Sequence, residues 1–285
     1  AKFGLDEATL RVSNPGVVYC SITGFGRGDG AQLAGYDLLV QALGGLMSIT
    51  GDPDGEPSKV GVALVDVLTG LNAFSGILLA LRMRESSGRG DRVEVDLMTT
   101  LLSALTNQAA STLATGASPQ RMGNAHPSIA PYDVYAAADR QLVIAVGNDR
   151  QFSLLAGALG MPELVDDECF VTNAARVQHR EKLRSQLESR LATGSAAGWV
   201  AVCTAAGVPA GLVNTIGEAF EFAQGFGLDV VTEISGGTRT HRSASNPIHL
   251  ASQRAQKGSV PPGLGEHTGA QWHPRATGRE GDYPA

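Results

Sequence analysis

Asp66 is the single acid in an apolar run from Lys59 to Arg84, K-V-G-V-A-L-V-D-V-L-T-G-L-N-A-F-S-G-I-L-L-A-L-R-M-R. An unpaired carboxylate in apolar surroundings costs several kcal/mol or shifts toward its neutral form, so the chain must either solvate Asp66 or use it. Used, a carboxylate supplies nucleophilic or proton-transfer chemistry. Solvated, it fits a helix start: residues 60–65 read as a short buried strand or extended approach and Val67 to Arg84 as a buried helix. There an acid accepts free N–H groups of the first turn at the positive end of the dipole, worth about 0.5–2 kcal/mol. A membrane span is a third reading, weakened by Asp66, Thr69, Asn72 and Ser75 within the run, by Gly61, Gly70 and Gly76, and by the lack of a second span.

Two other stretches carry chemistry-bearing residues. T-G-F-G-R-G-D-G at 23–30 is a glycine-rich loop after a strand, the setting in which backbone N–H groups cradle phosphates. Its spacing fits neither the dinucleotide fingerprint nor the Walker loop, and a flexible turn or lid accounts for it better. The loop G-N-A-H-P-S-I-A-P-Y at 123–132 holds His126, open as a ligand, a general acid or a hydrogen-bonded loop residue. Cys20, Cys169 and Cys203 stand far apart, without a CxxC pair or a His at metal spacing, which reads as reduced, buried, intracellular thiols and no metal site.

The elements that must position these residues alternate. A capped helix at Asp6–Ser13 precedes a strand at 17–22, and a helix from Tyr36 to Leu43 closes at Gly44-Gly45. After the Asp66 helix come a strand at Arg92–Asp96 and one helix from Leu97 to Thr115. This order argues α/β. A hairpin over 132–137 and 141–146, a helix from Asp149, two helical pieces between Asn173 and Ala206, and a strand-helix unit from Leu212 follow. Beyond Arg254 the chain is Gly- and Pro-rich and reads as irregular. Net charge is −6 with both signs mixed along the chain, so no basic stripe marks nucleic-acid binding. The first residues, A-K-F-G-L-D, lack the apolar stretch of a signal peptide.

Seven segments in order carry a family resemblance. They are 14–26 (N-P-G-V-V-Y-C-S-I-T-G-F-G), 35–51 (G-Y-D-L-L-V-Q-A-L-G-G-L-M-S-I-T-G), 60–71 (V-G-V-A-L-V-D-V-L-T-G-L), 86–97 (S-S-G-R-G-D-R-V-E-V-D-L), 123–132, 144–152 (I-A-V-G-N-D-R-Q-F) and 264–268 (L-G-E-H-T). Together they resemble the class III CoA-transferases, the formyl-CoA transferase and carnitine CoA-transferase family.

The resemblance implies an α/β fold: part of a large Rossmann-like domain over 1–120, a smaller α+β domain over 121–225, and a return to the large domain with an irregular tail over 226–285. Family members carry a further N-terminal segment that completes the Rossmann-like domain and much of the CoA nucleotide pocket, so a truncated chain is implied. The stretch after Thr268 departs from the family's C-terminal helix. By resemblance Asp66 is the nucleophile in CoA transfer from an acyl-CoA, with succinyl-CoA the favoured donor, to a carboxylic acid. Gly24, Gly26, Tyr36, Gln41, Asn124, His126 and Ser128 are implied to bind substrate, with loops 23–30 and 123–130 shielding the site. Arg121 and Arg150 are open as partners for a second carboxylate. Coenzyme A enters as substrate and no separate cofactor is implied. The expected setting is a cytoplasmic, interlocked homodimer without nucleic-acid or membrane partners.

Two alternatives remain. One is an α-methylacyl-CoA racemase-like isomerase, whose relatives carry His in an A-G-H-D motif where this chain has Ala34-Gly35-Tyr36-Asp37; a neutral phenol is a poor partner for that proton shuttle. The other is an inactive remnant in which Asp66 only caps a helix.

Overall fold

The computed structural model describes residues 2–252 and 258–271, so the expectation for the stretch after Thr268 lies mostly outside the described residues. The chain divides into two compact units, Ala1–Leu212 and Val213–Ala285.

The first unit opens with α1 (Glu7–Ser13), whose N-cap Asp6 accepts from Thr9 N at 3.1 Å, and β1 (Tyr19–Thr23). Next come α2 (Asp37–Leu43), the one-turn α3 (Leu46–Ile49) and α4 (Leu64–Ser87), which returns the chain to β2 (Arg92–Asp96). β1 and β2 pair in parallel, Tyr19 opposite Arg92 through Thr23 opposite Asp96. A parallel pair requires a crossover, and α4 lies within it. The mixed α/β character read from the sequence is thus present. Val40 of α2 and Val65 of α4, both fully buried, pack with Leu97 and Leu101 to form the core beneath this segment.

Three expectations here are corrected. Residues 60–63 form no strand; they bend into α4, which starts at Leu64 rather than Val67. α4 is not a buried helix, since only 22% of its most apolar window is buried, leaving Val67, Leu71, Phe74 and Leu78 exposed. By length and composition α4 meets the requirement for crossing a bilayer. The single helix expected from Leu97 to Thr115 is two, α5 (Leu97–Ala104) and α6 (Thr106–Thr115), broken where Thr106 takes a φ of 45°.

The rest of this unit builds a second core. β3 (Tyr132–Ala136) and β4 (Gln141–Ala145) form the expected hairpin, and α7 (Asp149–Ala158) follows with Asn148 as its cap. α8 (Asn173–Gln178), α9 (Arg180–Leu191) and α10 (Ala196–Ala205) make three helices where two were read, before β5 (Ala210–Leu212) adds antiparallel to β4. Leu142 and Ile144 of β4 meet Phe152 and Leu155 of α7 and Leu183, Leu187 and Leu191 of α9 in this core. Alternation on the strand and i, i+4 spacing on α9 present these side chains to one layer.

The second unit holds α11 (Ile216–Gly225), opened by a capping box between Thr215 and Glu218, and the antiparallel pair β6 (Val231–Gly236) and β7 (Arg239–Ala244). The hairpin was not anticipated from the sequence. Described residues 258–271 form neither helix nor strand.

Asp139, in the β3–β4 turn, accepts from Ala196 N at 2.7 Å and ties the hairpin to the start of α10. That N–H holds the Asp139 carboxyl below the ordinary aspartate value of 3.8. A depressed folded-state pKa contributes stability that is present above the ordinary value and lost as pH falls through the lowered one. Asp139→Asn is therefore expected to flatten the acid limb of a plot of Tm against pH, measured by circular dichroism, while wild type loses stability more steeply.

Candidate active site

The start of α4 is held from a distance. Its N-cap, Ala63, has no side chain that can accept a hydrogen bond, yet the first-turn N–H groups of a helix need acceptors. Asp37, the first residue of α2, supplies one: its Oδ1 accepts from Val65 N at 2.8 Å and Asp66 N at 3.3 Å. Its Oδ2 accepts from Gln41 Nε2 at 2.5 Å, one helical turn on. Gln41 is fully buried, and its Oε1 accepts from Val60 N at 3.0 Å. Two residues on one face of α2 thereby grip the chain at residue 60 and again at 65–66.

Asp66 sits in the first turn as the third helical residue, not as the cap. Its side chain is exposed, and its carboxylate has no hydrogen-bond or ion-pair partner among the described residues. The two acids near this helix end thus stand in different states, Asp37 bonded and Asp66 unengaged.

The glycine-rich loop adjoins this junction. β1 runs directly into Gly24, whose carbonyl accepts from Met98 N at 3.1 Å at the start of α5. Gly24 and Gly35 lie face to face: a Cβ built on Gly35 would stand 2.7 Å from Gly24 Cα, and one on Gly24 would stand 2.5 Å from Gly35 Cα. These two glycines close the neck of the loop and deliver Tyr36 and Asp37 to α2. Gly26 has a φ of 75°, in the left-handed region that favours glycine, and donates its N–H to Thr23 Oγ1 at 3.1 Å. Thr23, Phe25, Arg27 and Leu33 line a cleft of about 220 Å³ within the loop. It opens beyond the carboxyl end of β1, where ligands bind in open α/β sheets. Its volume is below the roughly 300 Å³ that small-molecule pockets start from, so it is too small for a whole acyl-CoA. Tyr36, adjoining the loop's neck, is exposed.

Loop 123–130 is tethered at both ends. Gly123 N donates to Gly51 O at 3.1 Å, and Arg121 bonds the carbonyls of Asp52 and Gly55 at 3.0 and 2.9 Å. Arg121 is thus engaged by the 52–55 turn, whereas Arg150 is exposed on α7. At the other end Asn173 Nδ2 donates to Ser128 O at 2.9 Å, and Arg180 donates to His126 O at 3.1 Å. Arg176, fully buried, donates to Ala130 O, Phe170 O and Asp149 Oδ1 at 2.6–2.8 Å. His126 Nδ1 accepts from Ser128 N at 3.2 Å. Asn124 and Ser128 are exposed and His126 half-buried.

The structure therefore joins Gly24, Tyr36 and Gln41 to the Asp66 helix through Gly35 and Asp37. Asn124, His126 and Ser128 belong to a separate segment, with no direct hydrogen bond to Asp66 among the described residues. Asp37 is the residue that sequence reasoning passed over. Its signal was the D-L-L-V-Q spacing, which sets an acid and an amide on one helical face.

Residues 1–268 match CoA-transferase family III, and the chain belongs to that family. It is 42% identical to a succinate–glutarate CoA-transferase of Agrobacterium fabrum, over 94% of this chain and 67% of that protein. Identity is 36% with a succinyl-CoA:glutarate CoA-transferase of Mus musculus, over 94% and 62% of the two chains. It is 37% with an acetyl-CoA:oxalate CoA-transferase of Acetobacter aceti, over 88% and 64%. A crystal structure of a CaiB/BaiF family protein from Brucella suis superposes with a TM-score of 0.83 at 42% identity, over 93% of this chain and 70% of the other. The chain spans 62–67% of the length of these three enzymes.

Gly35→Ala would force a methyl group against the Gly24 backbone, which has no flexible side chain to yield. Expected is a loss of about 1–3 kcal/mol, read from the urea unfolding midpoint. An unchanged midpoint would mean that the glycine contact does not constrain the loop's neck.

Proposed function

We propose that this chain carries the nucleophile of an enzyme that transfers CoA from an acyl-CoA donor to a carboxylic acid, with Asp66 forming the covalent intermediates. The observation that carries this reading is the state of Asp66: exposed, unengaged, and fixed by its own backbone at the start of a helix. An oxygen of Asp66 attacks the thioester carbonyl carbon; the C–S bond breaks and the thiolate leaves with its electron pair, giving a mixed anhydride. The thiolate then attacks the Asp66 carbonyl carbon, releasing the donor acid as its carboxylate and leaving an aspartyl-CoA thioester. The acceptor carboxylate displaces the thiolate to form a second anhydride, and return of the thiolate to the acceptor carbonyl frees the new acyl-CoA and Asp66. Splitting one exchange between weak nucleophiles into such steps is the advantage of covalent catalysis.

Water must be kept from the anhydrides, and loops 23–30 and 123–130 are the candidates for this. Backbone N–H groups of the glycine-rich loop are candidates for stabilising the tetrahedral oxyanion. Succinyl-CoA and a dicarboxylate acceptor are favoured, supported by the names of the succinate–glutarate and succinyl-CoA:glutarate CoA-transferase relatives. Tyr36, where racemase-like sequences carry His, favours transfer over racemisation.

A homodimer completes the proposal. The exposed Val67, Leu71, Phe74 and Leu78 on α4 support it, because apolar surface of this kind marks an interaction face. Sedimentation velocity is expected to report twice the 29.5 kDa chain mass; a monomer at micromolar concentration would contradict the dimer.

To test the chemistry, the protein is incubated with succinyl-CoA, quenched with hydroxylamine, and mapped by peptide mass spectrometry. A hydroxamate on Asp66, missing from Asp66→Ala together with the transferase activity, is expected. Activity without any Asp66 adduct, or retained by Asp66→Ala, would overturn the mechanism.

A further inference from the structure

We propose that Asp37 is a positioning residue that keeps the Asp66 carboxylate free by taking the helix-start N–H groups that Asp66 would otherwise claim. The inference rests on the reading of Asp66 as nucleophile. It concerns a residue that the chemistry above does not use.

α4 begins without a cap of its own, since Ala63 offers no acceptor. The N–H groups of Val65 and Asp66 therefore require an acceptor from elsewhere. Two carboxylates are in reach of this helix end. Asp66, the third helical residue, lies in the first turn, where an acidic side chain can accept free backbone N–H groups. A carboxylate so engaged has its lone pairs directed at N–H groups and is a poorer nucleophile. Asp37 removes that option, with Oδ1 bonded to both N–H groups at 2.8 and 3.3 Å.

Asp37 is itself immobilised. Its Oδ2 receives Gln41 Nε2, and Gln41 is fully buried with its other amide atom bonded to Val60 N. The neck glycines Gly24 and Gly35 fix the chain two residues ahead of it. Val40, beside Gln41 on α2, and Val65, beside Asp66 on α4, share the same core. The carboxylate therefore meets the α4 N-terminus by construction of the fold, and the division of labour between the two acids follows: Asp37 caps, Asp66 reacts.

The test is a double-mutant cycle on stability, with activity measured in parallel. Asp66→Ala alone is expected to leave the folding equilibrium constant nearly unchanged, because Asp66 makes no stabilising contact while Asp37 caps. In an Asp37→Ala background, where Asp66 takes over as cap, Asp66→Ala is expected to lower that constant about fivefold, the worth of a cap. Such coupling exists only if the two carboxylates compete for the same N–H groups. Asp37→Ala is expected to lower kcat about a hundredfold, the scale of a misplaced reacting group, with KM for succinyl-CoA little changed. Asp37→Asn keeps an acceptor at Oδ1 and is expected to recover most of kcat.

Zero coupling in the cycle, full activity in Asp37→Ala, or equal impairment of the Ala and Asn variants would each overturn the proposal. The cycle reads stability, so it decides whether Asp37 holds Asp66 off the helix start even if no Asp66 adduct is ever trapped.

Discussion

The arrangement of this site depends on one carboxylate standing at the starts of two helices. Asp37 is the first residue of α2 and accepts from the second and third residues of α4, so one side chain fixes the relative position of both N-termini. Each helix presents the positive end of its dipole there, which favours a carboxylate side chain at this point. Gln41 repeats the grip one turn along, and Val40 and Val65 close the apolar layer beneath. Polar pairing and apolar burial act on the same few residues. The backbone of Asp66 is fixed as a result, and its side chain is left over.

Glycine pairing extends this constraint to the loop in front of the site. Gly24 leaves the end of β1 and touches Gly35, so backbone meets backbone without intervening side chains. A loop closed at such a neck encloses a cleft while its tip stays free to vary. The 123–130 segment is constrained differently, largely by side-chain donors, three of them guanidinium groups. Arg121 binds the 52–55 turn, and Asn173, Arg176 and Arg180 bind successive carbonyls between His126 and Ala130. Guanidinium groups suit this use because several donors reach several carbonyls at once.

Much of this was legible in the sequence where the physics is local. An acid isolated in an apolar run pointed to Asp66, alternation located β2, β3 and β4, and Asn148 announced α7. What was missed depends on distant partners or on the absence of a local signal. The start of α4 was read three residues late because Val60 to Leu64 look extended, and the acceptor that permits the earlier start lies 28 positions before Val65. No Gly or Pro marks the break at Thr106, and the polar R-T-H-R-S-A of β7 lacks the alternation by which strands are recognised. The composition of α4 reads as that of a buried helix, yet the described chain leaves much of its apolar surface uncovered. Gln41, which family resemblance implies in substrate binding, is buried with both amide atoms bonded in the frame around Asp66.

The most direct test of the account follows oxygen. If Asp66 passes through two anhydrides, one oxygen of the acceptor carboxylate stays on Asp66 at the end of each turnover, and whichever Asp66 oxygen attacks next leaves with the donor acid. A single turnover of succinyl-CoA with glutarate labelled in both carboxylates with heavy oxygen is therefore predicted to place one heavy oxygen in the Asp66-bearing peptide. Formation of glutaryl-CoA with no label in that peptide would contradict the account, because the acyl group would then have moved without passing through Asp66.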